Sequence, residues 1–202
     1  MNIVCLDLEG VLVPEIWVGL AEITGVDAFR ATTRDIPDYD ELMTMRLAEM
    51  DRQGFGLPDI EKVVARLEPL EGARVFLDGL RARYQVVILS DTFYEFARPL
   101  MAQLGWPTLF CHTLQVEQGG RIGGYTIRLP DHKRRTVAAL RDLNFRTVAA
   151  GDSYNDTGML AEADAGIFFR PPESIAAEFP HFPVTRDYDA LRQAVDTAFD
   201  LR

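Results

Sequence analysis

The chain has 202 residues, a formal charge of −10 at pH 7 and an ordinary globular composition, 48% hydrophobic and 26% charged. The acidic balance disfavours nucleic acid or an anionic membrane as a partner, but it allows an anionic substrate held by a few cations and a metal. The apolar runs are too short for a membrane span, and the N-terminus lacks the pattern of a signal peptide. Two widely separated cysteines, Cys5 and Cys111, favour a reduced, cytoplasmic protein.

The chain begins with a short apolar run that ends in acidic residues. Residues 3–6 predict a strand buried on both faces, and Asp7 and Glu9 follow it before Gly10 turns the chain. Alternation along an extended chain predicts that the two carboxylates point the same way. Open α/β sheets place their chemistry at such strand ends, although this stretch alone fits equally well a loop with two solvated acids.

Residues 14–70 show helical patterns and no strand pattern. Three helices are predicted to begin near Pro14, Asp38 and Pro58. In the second of them Arg46 falls inside the apolar stripe, where a charge is costly unless it is paired. We therefore predict a small helical cap over 14–70, inserted after the first strand.

The remainder of the chain alternates strand and helix patterns. Four strands are predicted, at 85–89, 108–111, 147–150 and 165–169. Residues 114–129 predict a β-hairpin, and one or two further helices are predicted in the tail. This alternation predicts an α/β fold, a Rossmann-like parallel sheet with helices on both faces, formed by 1–13 and 71–202.

Three predicted strands end in polar residues that a parallel sheet would bring to one edge. These residues are Asp7 and Glu9, then Ser90, then Asp152, Asn155 and Asp156. Lys133 enters from the start of the helix after the hairpin. Carboxylate oxygens without nearby His or Cys ligands suit Mg²⁺, the three histidines show no zinc spacing, and no Walker A sequence is present.

The order and spacing of these motifs resemble the haloacid dehalogenase superfamily (HAD) of phosphatases over nearly the whole chain. DLEGV at 7–11 resembles the first family motif, VILSD at 87–91 the second, Lys133 the third and GDSYND at 151–156 the fourth. Within the superfamily, the helical cap resembles that of phosphoserine phosphatases. Glu9 and the EIW and SDTF segments resemble the bifunctional phosphoserine phosphatase and phosphoserine:homoserine phosphotransferase.

The resemblance implies that Asp7 is a nucleophile that forms an aspartyl-phosphate, with Glu9 as the acid/base. Asp7, Asp152 and the backbone carbonyl of Glu9 would hold Mg²⁺, and Asp156 would act behind them through Lys133 or a bound water. Lys133 would neutralise charge on the transferring phosphoryl group. The other substrate contacts implied in the core are Ser90, Asp91, Thr92 and Asn155.

Glu9 stands where the commoner family pattern has Asp. Its extra methylene means that the carboxyl reaches the leaving oxygen only along a different rotamer. We hypothesise that water is then activated less well, which leaves the aspartyl-phosphate available to an alcohol such as homoserine.

Two charged residues of the cap match an amino-acid head group. The planar guanidinium of Arg46 suits a carboxylate bidentately, and Glu15 can receive an ammonium, as the phosphoserine resemblance implies. The alternative is that Arg46 and Glu15 pair with each other or with neighbours in the cap.

Three other functions compete. A phospho-accepting signalling module also combines an Asp, an acidic metal cluster, a Ser or Thr and a Lys, but it carries the acceptor on a middle strand and has no such cap. A haloacid dehalogenase needs no metal, which the Asp152 and Asp156 pair argues against. A phosphatase for another small metabolite differs only in the cap.

The sequence leaves the oligomeric state open, a homodimer included.

Overall fold

The computed structural model describes residues 1–32, 35–36 and 38–200. Its strands are β1 (Asn2–Leu6), β2 (Gln85–Phe93), β3 (Thr108–Val116), β4 (Ile122–Thr126), β5 (Arg146–Gly151), β6 (Ala165–Phe169) and β7 (Val184–Thr185). They form one sheet in the order β4-β3-β2-β1-β5-β6-β7. Only β4 runs antiparallel to its neighbour, β3, so the predicted α/β fold and the predicted hairpin are both confirmed.

Helices lie in the connections between the strands, except in the β3–β4 hairpin. They are α1 (Ile16–Thr24), α2 (Tyr39–Gln53), α3 (Leu57–Val64), α4 (Ala73–Arg81), α5 (Tyr94–Gln103), α6 (His132–Asp142), α7 (Thr157–Glu162), α8 (Glu173–Glu178) and α9 (Tyr188–Asp200). The first three lie between β1 and β2, and no strand occurs among the described residues of 14–70. The helical insertion after the first strand is therefore present. No helix in the described part of the chain is both long and apolar enough to cross a bilayer.

Local signals account for most helix ends, with small shifts. α1 begins at Ile16 rather than at Pro14, and Gly25 ends it in the left-handed conformation at φ 73°. The Asp38 side chain accepts a hydrogen bond from the Glu41 N–H at 2.8 Å, as the D-x-x-E sequence predicts for the start of α2. The two-residue strand β7 was not predicted.

The central strand is buried on both faces. Val4 and Leu6 of β1 join an apolar cluster on one face of the sheet, and Ile3 and Cys5 join a second cluster on the other. The first cluster continues into the helical insertion through Trp17. The division into a core (1–13 and 71–202) and a cap (14–70) stays a prediction. What the packing establishes is that β1 delivers the residue after it, Asp7, into the interior.

Candidate active site

The ends of three strands meet in the middle of the sheet. β1 pairs on one side with β2 and on the other with β5, and Leu6 lies opposite Ile88 and Ala150. The backbone N–H of Asp7 donates to the Ala150 carbonyl at 2.9 Å, which extends this pairing by one residue. The strand ends that carry Asp7, Ser90 and Asp152 therefore lie next to one another, although they are far apart in sequence.

Lys133, at the start of α6, is buried inside this cluster and only 3% exposed. Its Nζ donates to Asp7 Oδ1 at 2.9 Å and to Asp156 Oδ1 at 2.8 Å, and it lies 3.5 Å from Asp91 Oδ2. Burial disfavours the ammonium, but the three carboxylates together hold the pKa of Lys133 well above its usual range. The site therefore contains a fixed positive charge.

Three carboxylates crowd the same space. Asp7, Asp152 and Asp156 each offer an oxygen, and the three oxygens lie within 4.8 Å of one another. Burial, and then repulsion from Asp156, raise the pKa of Asp7 well above its usual range and that of Asp152 to about 7. Oxygen-only donors with unbalanced negative charge fit a hard divalent cation such as Mg²⁺.

Two glycines make this crowding possible. A Cβ on Gly10, whose φ is +75°, would lie 2.5 Å from the Asp152 carboxylate. A Cβ on Gly151 would lie 2.3 Å from the Asp156 carboxyl carbon. Each strand end therefore carries a glycine where an acidic side chain passes close to the backbone.

Asp156 organises the loop that follows β5. It is fully buried, and its Oδ2 accepts the backbone N–H groups of Asp152 at 2.9 Å and Ser153 at 3.1 Å, while its Oδ1 accepts from Lys133. One carboxylate therefore fixes both the metal-ligand candidate Asp152 and the lysine.

Ser90 is buried in β2, directly after the regular pairing with β3 stops at Leu89, and its Oγ accepts the Thr92 N–H at 3.3 Å. The helix that follows begins at Tyr94 with Phe93 at the cap position, so Ser90 does not cap it. Thr92 is also buried. The substrate contacts assigned to Ser90 and Thr92 stay predictions.

Glu9 lies at the junction between the carboxylate cluster and the helical insertion. Its Oε2 accepts the Ile16 N–H at 2.8 Å, at the first residue of α1. Burial, and then repulsion from Glu15, raise its pKa to about 8, against the attraction of Arg46 and Lys133. The raised pKa favours the protonated form of the Glu9 carboxyl, which suits a group that gives a proton to a leaving oxygen.

Arg46 is 7% exposed and stacks on an aromatic ring, with its guanidinium carbon 4.4 Å from the centre of the Trp17 ring. One terminal nitrogen donates to the Ala31 carbonyl at 2.8 Å, but the buried Nε has no hydrogen-bond partner in the described part of the chain. Among the described residues no ion pair joins Arg46 to Glu15. A buried donor without a partner is the group that a ligand carboxylate would satisfy.

Two histidines that the sequence did not single out lie beside the cluster. His132 Nε2 is 3.0 Å from Asp91 Oδ1, and His112 Nε2 is 3.6 Å from the same oxygen. They come from α6 and β3, so no local spacing links them. The one available signal was that His132 directly precedes Lys133.

A separate groove lies between β6, α9, the end of α7 and residues 181–183, and it has a volume of about 840 Å³. Small apolar side chains line most of it, with Arg146 and His181 among its polar groups. It contains none of the predicted site residues, so the chemistry of the strand ends, and not the size of a groove, locates the candidate active site.

The raised pKa of Asp152 predicts how pH affects the stability of the metal-free protein. Its pKa is about 7 in the folded state and near 3.8 unfolded, so the native state binds the extra proton between these values. The protonated Asp152 therefore contributes stability that is fully present below about pH 4 and is lost as the pH rises through 7. Between about pH 4 and about pH 8, the free energy of unfolding of the wild type should fall by about 2–4 kcal/mol relative to that of Asp152→Asn.

Urea unfolding of both proteins in a chelating buffer, at about pH 4 and about pH 8, measures this difference. Excess Mg²⁺ should shrink it, because a bound cation replaces the proton. A wild-type-minus-variant difference that stays constant across this pH range would contradict the prediction.

Comparison with known proteins identifies the class. Residues 1–164 match the haloacid dehalogenase-like hydrolase family, and the chain belongs to that family. It is 59% identical over 193 residues to phosphoserine phosphatase ThrH of Pseudomonas aeruginosa, which covers 96% of this chain and 94% of the relative. A phosphoserine phosphatase of Pseudomonas syringae pv. tomato is 57% identical, with 96% of this chain and 81% of the relative covered.

Solved structures show the same fold. A substrate-bound phosphoserine phosphatase matches with a TM-score of 0.78 at 20% identity, over 96% of this chain and 97% of the other. A phospho-aspartyl intermediate analogue of phosphoserine phosphatase matches with a TM-score of 0.77, also at 20% identity, over 96% and 98%. The HAD-like fold implied by the sequence motifs is therefore confirmed.

Proposed function

We propose that the protein is a Mg²⁺-dependent phosphoserine phosphatase that works through an aspartyl-phosphate on Asp7. The observation that carries this proposal is the buried Lys133, bonded to both Asp7 and Asp156 at the end of the central strand. Two relatives of more than half identity, each a phosphoserine phosphatase, support the substrate. We also propose the cytoplasm as its location, because Cys5 and Cys111 are both free thiols.

The first step is a displacement at phosphorus. An Asp7 oxygen attacks, the bond to the serine oxygen breaks, and the departing alkoxide takes the proton of Glu9. In the second step a water attacks the same phosphorus and gives its proton to Glu9. Inorganic phosphate then leaves, and Asp7 is a carboxylate again.

The surrounding charges make this sequence possible. Lys133 opposes the rise in the pKa of Asp7, which favours the ionised nucleophile, and it neutralises charge on the phosphoryl oxygens. When bound by Asp7, Asp152 and the Glu9 carbonyl, Mg²⁺ would supply further positive charge to the same oxygens. Ser90 and Asn155 are proposed to donate hydrogen bonds to the phosphoryl group.

The helical insertion is proposed to read the amino-acid end of the substrate. Arg46 offers a buried guanidinium with an unpaired Nε for the carboxylate, and its stacking on Trp17 holds the plane of the fork. Glu15 is exposed just before α1, and its charge contributes to the raised pKa of Glu9, so we propose that its carboxylate receives the ammonium. Together the two charges match a zwitterion.

A second activity, transfer of the phosphoryl group to homoserine, is proposed because of Glu9. One of its two oxygens is tied to the Ile16 N–H, so the side chain is anchored to α1 while it exchanges protons at the phosphorus. A carboxyl held in this way adjusts less well to the position of a small water molecule. An alcohol bound by the helical insertion can instead be placed with its hydroxyl next to the Glu9 carboxyl.

One experiment tests both activities. The Mg²⁺-loaded protein is incubated with phosphoserine, with and without homoserine, and free phosphate and phosphohomoserine are quantified over many turnovers. Rapid release of phosphate supports the phosphatase, and phosphohomoserine supports transfer. If neither phosphate nor phosphohomoserine forms, the proposed substrate is overturned. A phospho-aspartate that persists for minutes to hours would favour a signalling module.

Shortening Glu9 should change the balance of the two products. Glu9→Asp is expected to raise the ratio of hydrolysis to transfer several-fold, because the shorter carboxyl is released from Ile16 and regains the length of the commoner family residue. The ratio is measured in the same incubation with homoserine present. Glu22→Asp, an exposed change on α1, serves as the control. An unchanged ratio would remove Glu9 from this explanation.

A further inference from the structure

The Asp91 carboxylate faces polar N–H groups from α6, from β3 and from the loop after β5. Its Oδ1 faces His132 Nε2 at 3.0 Å and His112 Nε2 at 3.6 Å. Its Oδ2 accepts from Asn155 Nδ2 at 2.6 Å and lies 3.5 Å from Lys133 Nζ. Burial opposes ionisation, but Lys133 and the two histidines hold the pKa of Asp91 well below its usual range. Both oxygens of this carboxylate therefore contact groups of the chain itself, while 36% of the side chain stays exposed.

The positions of the ring protons on the two histidines argue against a metal site at this trio. Both rings are 3% exposed and lie 4.8 Å apart, edge to face. His112 Nδ1 accepts the Arg128 N–H at 3.3 Å, which puts the His112 proton on Nε2, facing Asp91. A metal bound there would need the lone pair of that nitrogen, and it would also face the nearby ammonium of Lys133.

The same assignment suits His132. With its proton on Nε2, it donates to Asp91, and the buried Nδ1, which has no partner among the described residues, carries a lone pair and not an unsatisfied proton. His132 thus donates to one oxygen of Asp91, and His112 Nε2–H faces the same oxygen at 3.6 Å, while the other oxygen contacts Asn155 and Lys133.

We propose that Asp91, held by His112 and His132, is a positioning residue that fixes Lys133 and Asn155 against the transferring phosphoryl group. In this role Asp91 does not contact the amino-acid part of the substrate, in contrast to the contact implied by the sequence. The proposal rests on the proposed function for the phosphoryl chemistry at Lys133, but it does not depend on which phosphate ester is the natural substrate.

Two substrates separate positioning from direct recognition. Phosphoserine carries an ammonium that a carboxylate could bind, whereas phenyl phosphate carries only the phosphoryl group. Asp91→Asn keeps the size of the side chain and removes its charge. We expect kcat to fall about 10-fold to 30-fold for both esters, with each KM within about 3-fold of wild type. A loss confined to phosphoserine and expressed in KM would overturn the proposal.

The histidines provide a second test. His132→Leu removes the donor to Asp91, and His132→Gln restores an N–H at about the same place. Leu is expected to reduce kcat about as much as Asp91→Asn does, and Gln to retain several-fold more activity than Leu. His181→Gln, at an exposed histidine in the separate groove, is the control and should leave kcat unchanged.

Circular dichroism and urea midpoints show which variants are folded. Equal losses in kcat for the folded Gln and Leu variants would overturn the role of His132 as a donor. Zinc bound to the wild type and not to His132→Leu would replace the proposal with a metal site. If Asp91→Asn keeps full kcat on both esters, positioning fails and the phosphatase function stands. If the wild type does not hydrolyse phosphoserine, that substrate fails, and phenyl phosphate still tests Asp91.

Discussion

Asp7→Asn is expected to reduce phosphoserine hydrolysis by at least about 10³-fold while the protein still folds. The amide cannot attack phosphorus as the carboxylate does. Its oxygen can still accept the two hydrogen bonds that Asp7 Oδ1 accepts now, from the Leu8 N–H at 2.7 Å and from Lys133 at 2.9 Å. The substitution therefore removes the nucleophile and leaves the local contacts in place.

Charge gives this experiment a second readout. Burial and repulsion from Asp156 and Asp152 raise the pKa of Asp7 well above its usual range, so the carboxylate is a destabilising group in the metal-free protein at neutral pH. Asp7→Asn should therefore unfold at the same or a higher urea concentration than wild type in a chelating buffer. Asp189→Asn, at a side chain 90% exposed, should change neither activity nor stability. Full turnover by a folded Asp7→Asn protein would contradict the mechanism.

The predictable part of the site is the part that follows from strand order. Asp7, Ser90 and Asp152 were found because each follows a short apolar run, and alternation of strands and helices makes those runs parallel neighbours. Lys133 was harder, since a lysine in a basic segment is usually exposed. Only its place among the family motifs indicated the buried position that the structure gives it.

The contacts that could not be predicted join side chains from helices and strands whose separation in sequence follows no fixed pattern. The predicted strand at 108–111 stopped one residue before His112, and β3 continues to Val116. The predicted strand at 85–89 stopped before Ser90, whereas β2 continues to Phe93 with a shift in its pairing to β3 after Leu89. That shift carries Asp91 out of regular pairing, and no local pattern in the sequence records it.

Arg46 shows the same limit within one helix. Its place in an apolar stripe predicted burial, which the structure confirms, but helical periodicity cannot name the partner of a buried charge. The ring of Trp17 and the carbonyl of Ala31 come from the preceding helix and from the segment after it. The unpaired Nε is visible only in three dimensions.

Removing the Arg46 guanidinium is expected to lower kcat/KM for phosphoserine about 10²-fold or more, and to affect phenyl phosphate far less. Loss of one partner of a desolvated charge pair costs about 2–5 kcal/mol, whereas an ester without a carboxylate never makes that pair. Arg46→Met is the variant of choice because it keeps an unbranched stem against Trp17 and leaves a smaller void than alanine would.

The ratio of the losses in kcat/KM for phosphoserine and phenyl phosphate separates recognition of the carboxylate from a general disturbance of the site, because such a disturbance lowers both rates alike. Arg52→Met, on the exposed part of the same helix, controls for the loss of a positive charge. Glu15→Gln adds a check at the other end of the substrate, since it should weaken phosphoserine and spare a phosphate ester that has a carboxylate but no amine. Equal losses on both esters in folded Arg46→Met would mean that Arg46 supports the structure of the insertion, and the carboxylate of the substrate would need another partner.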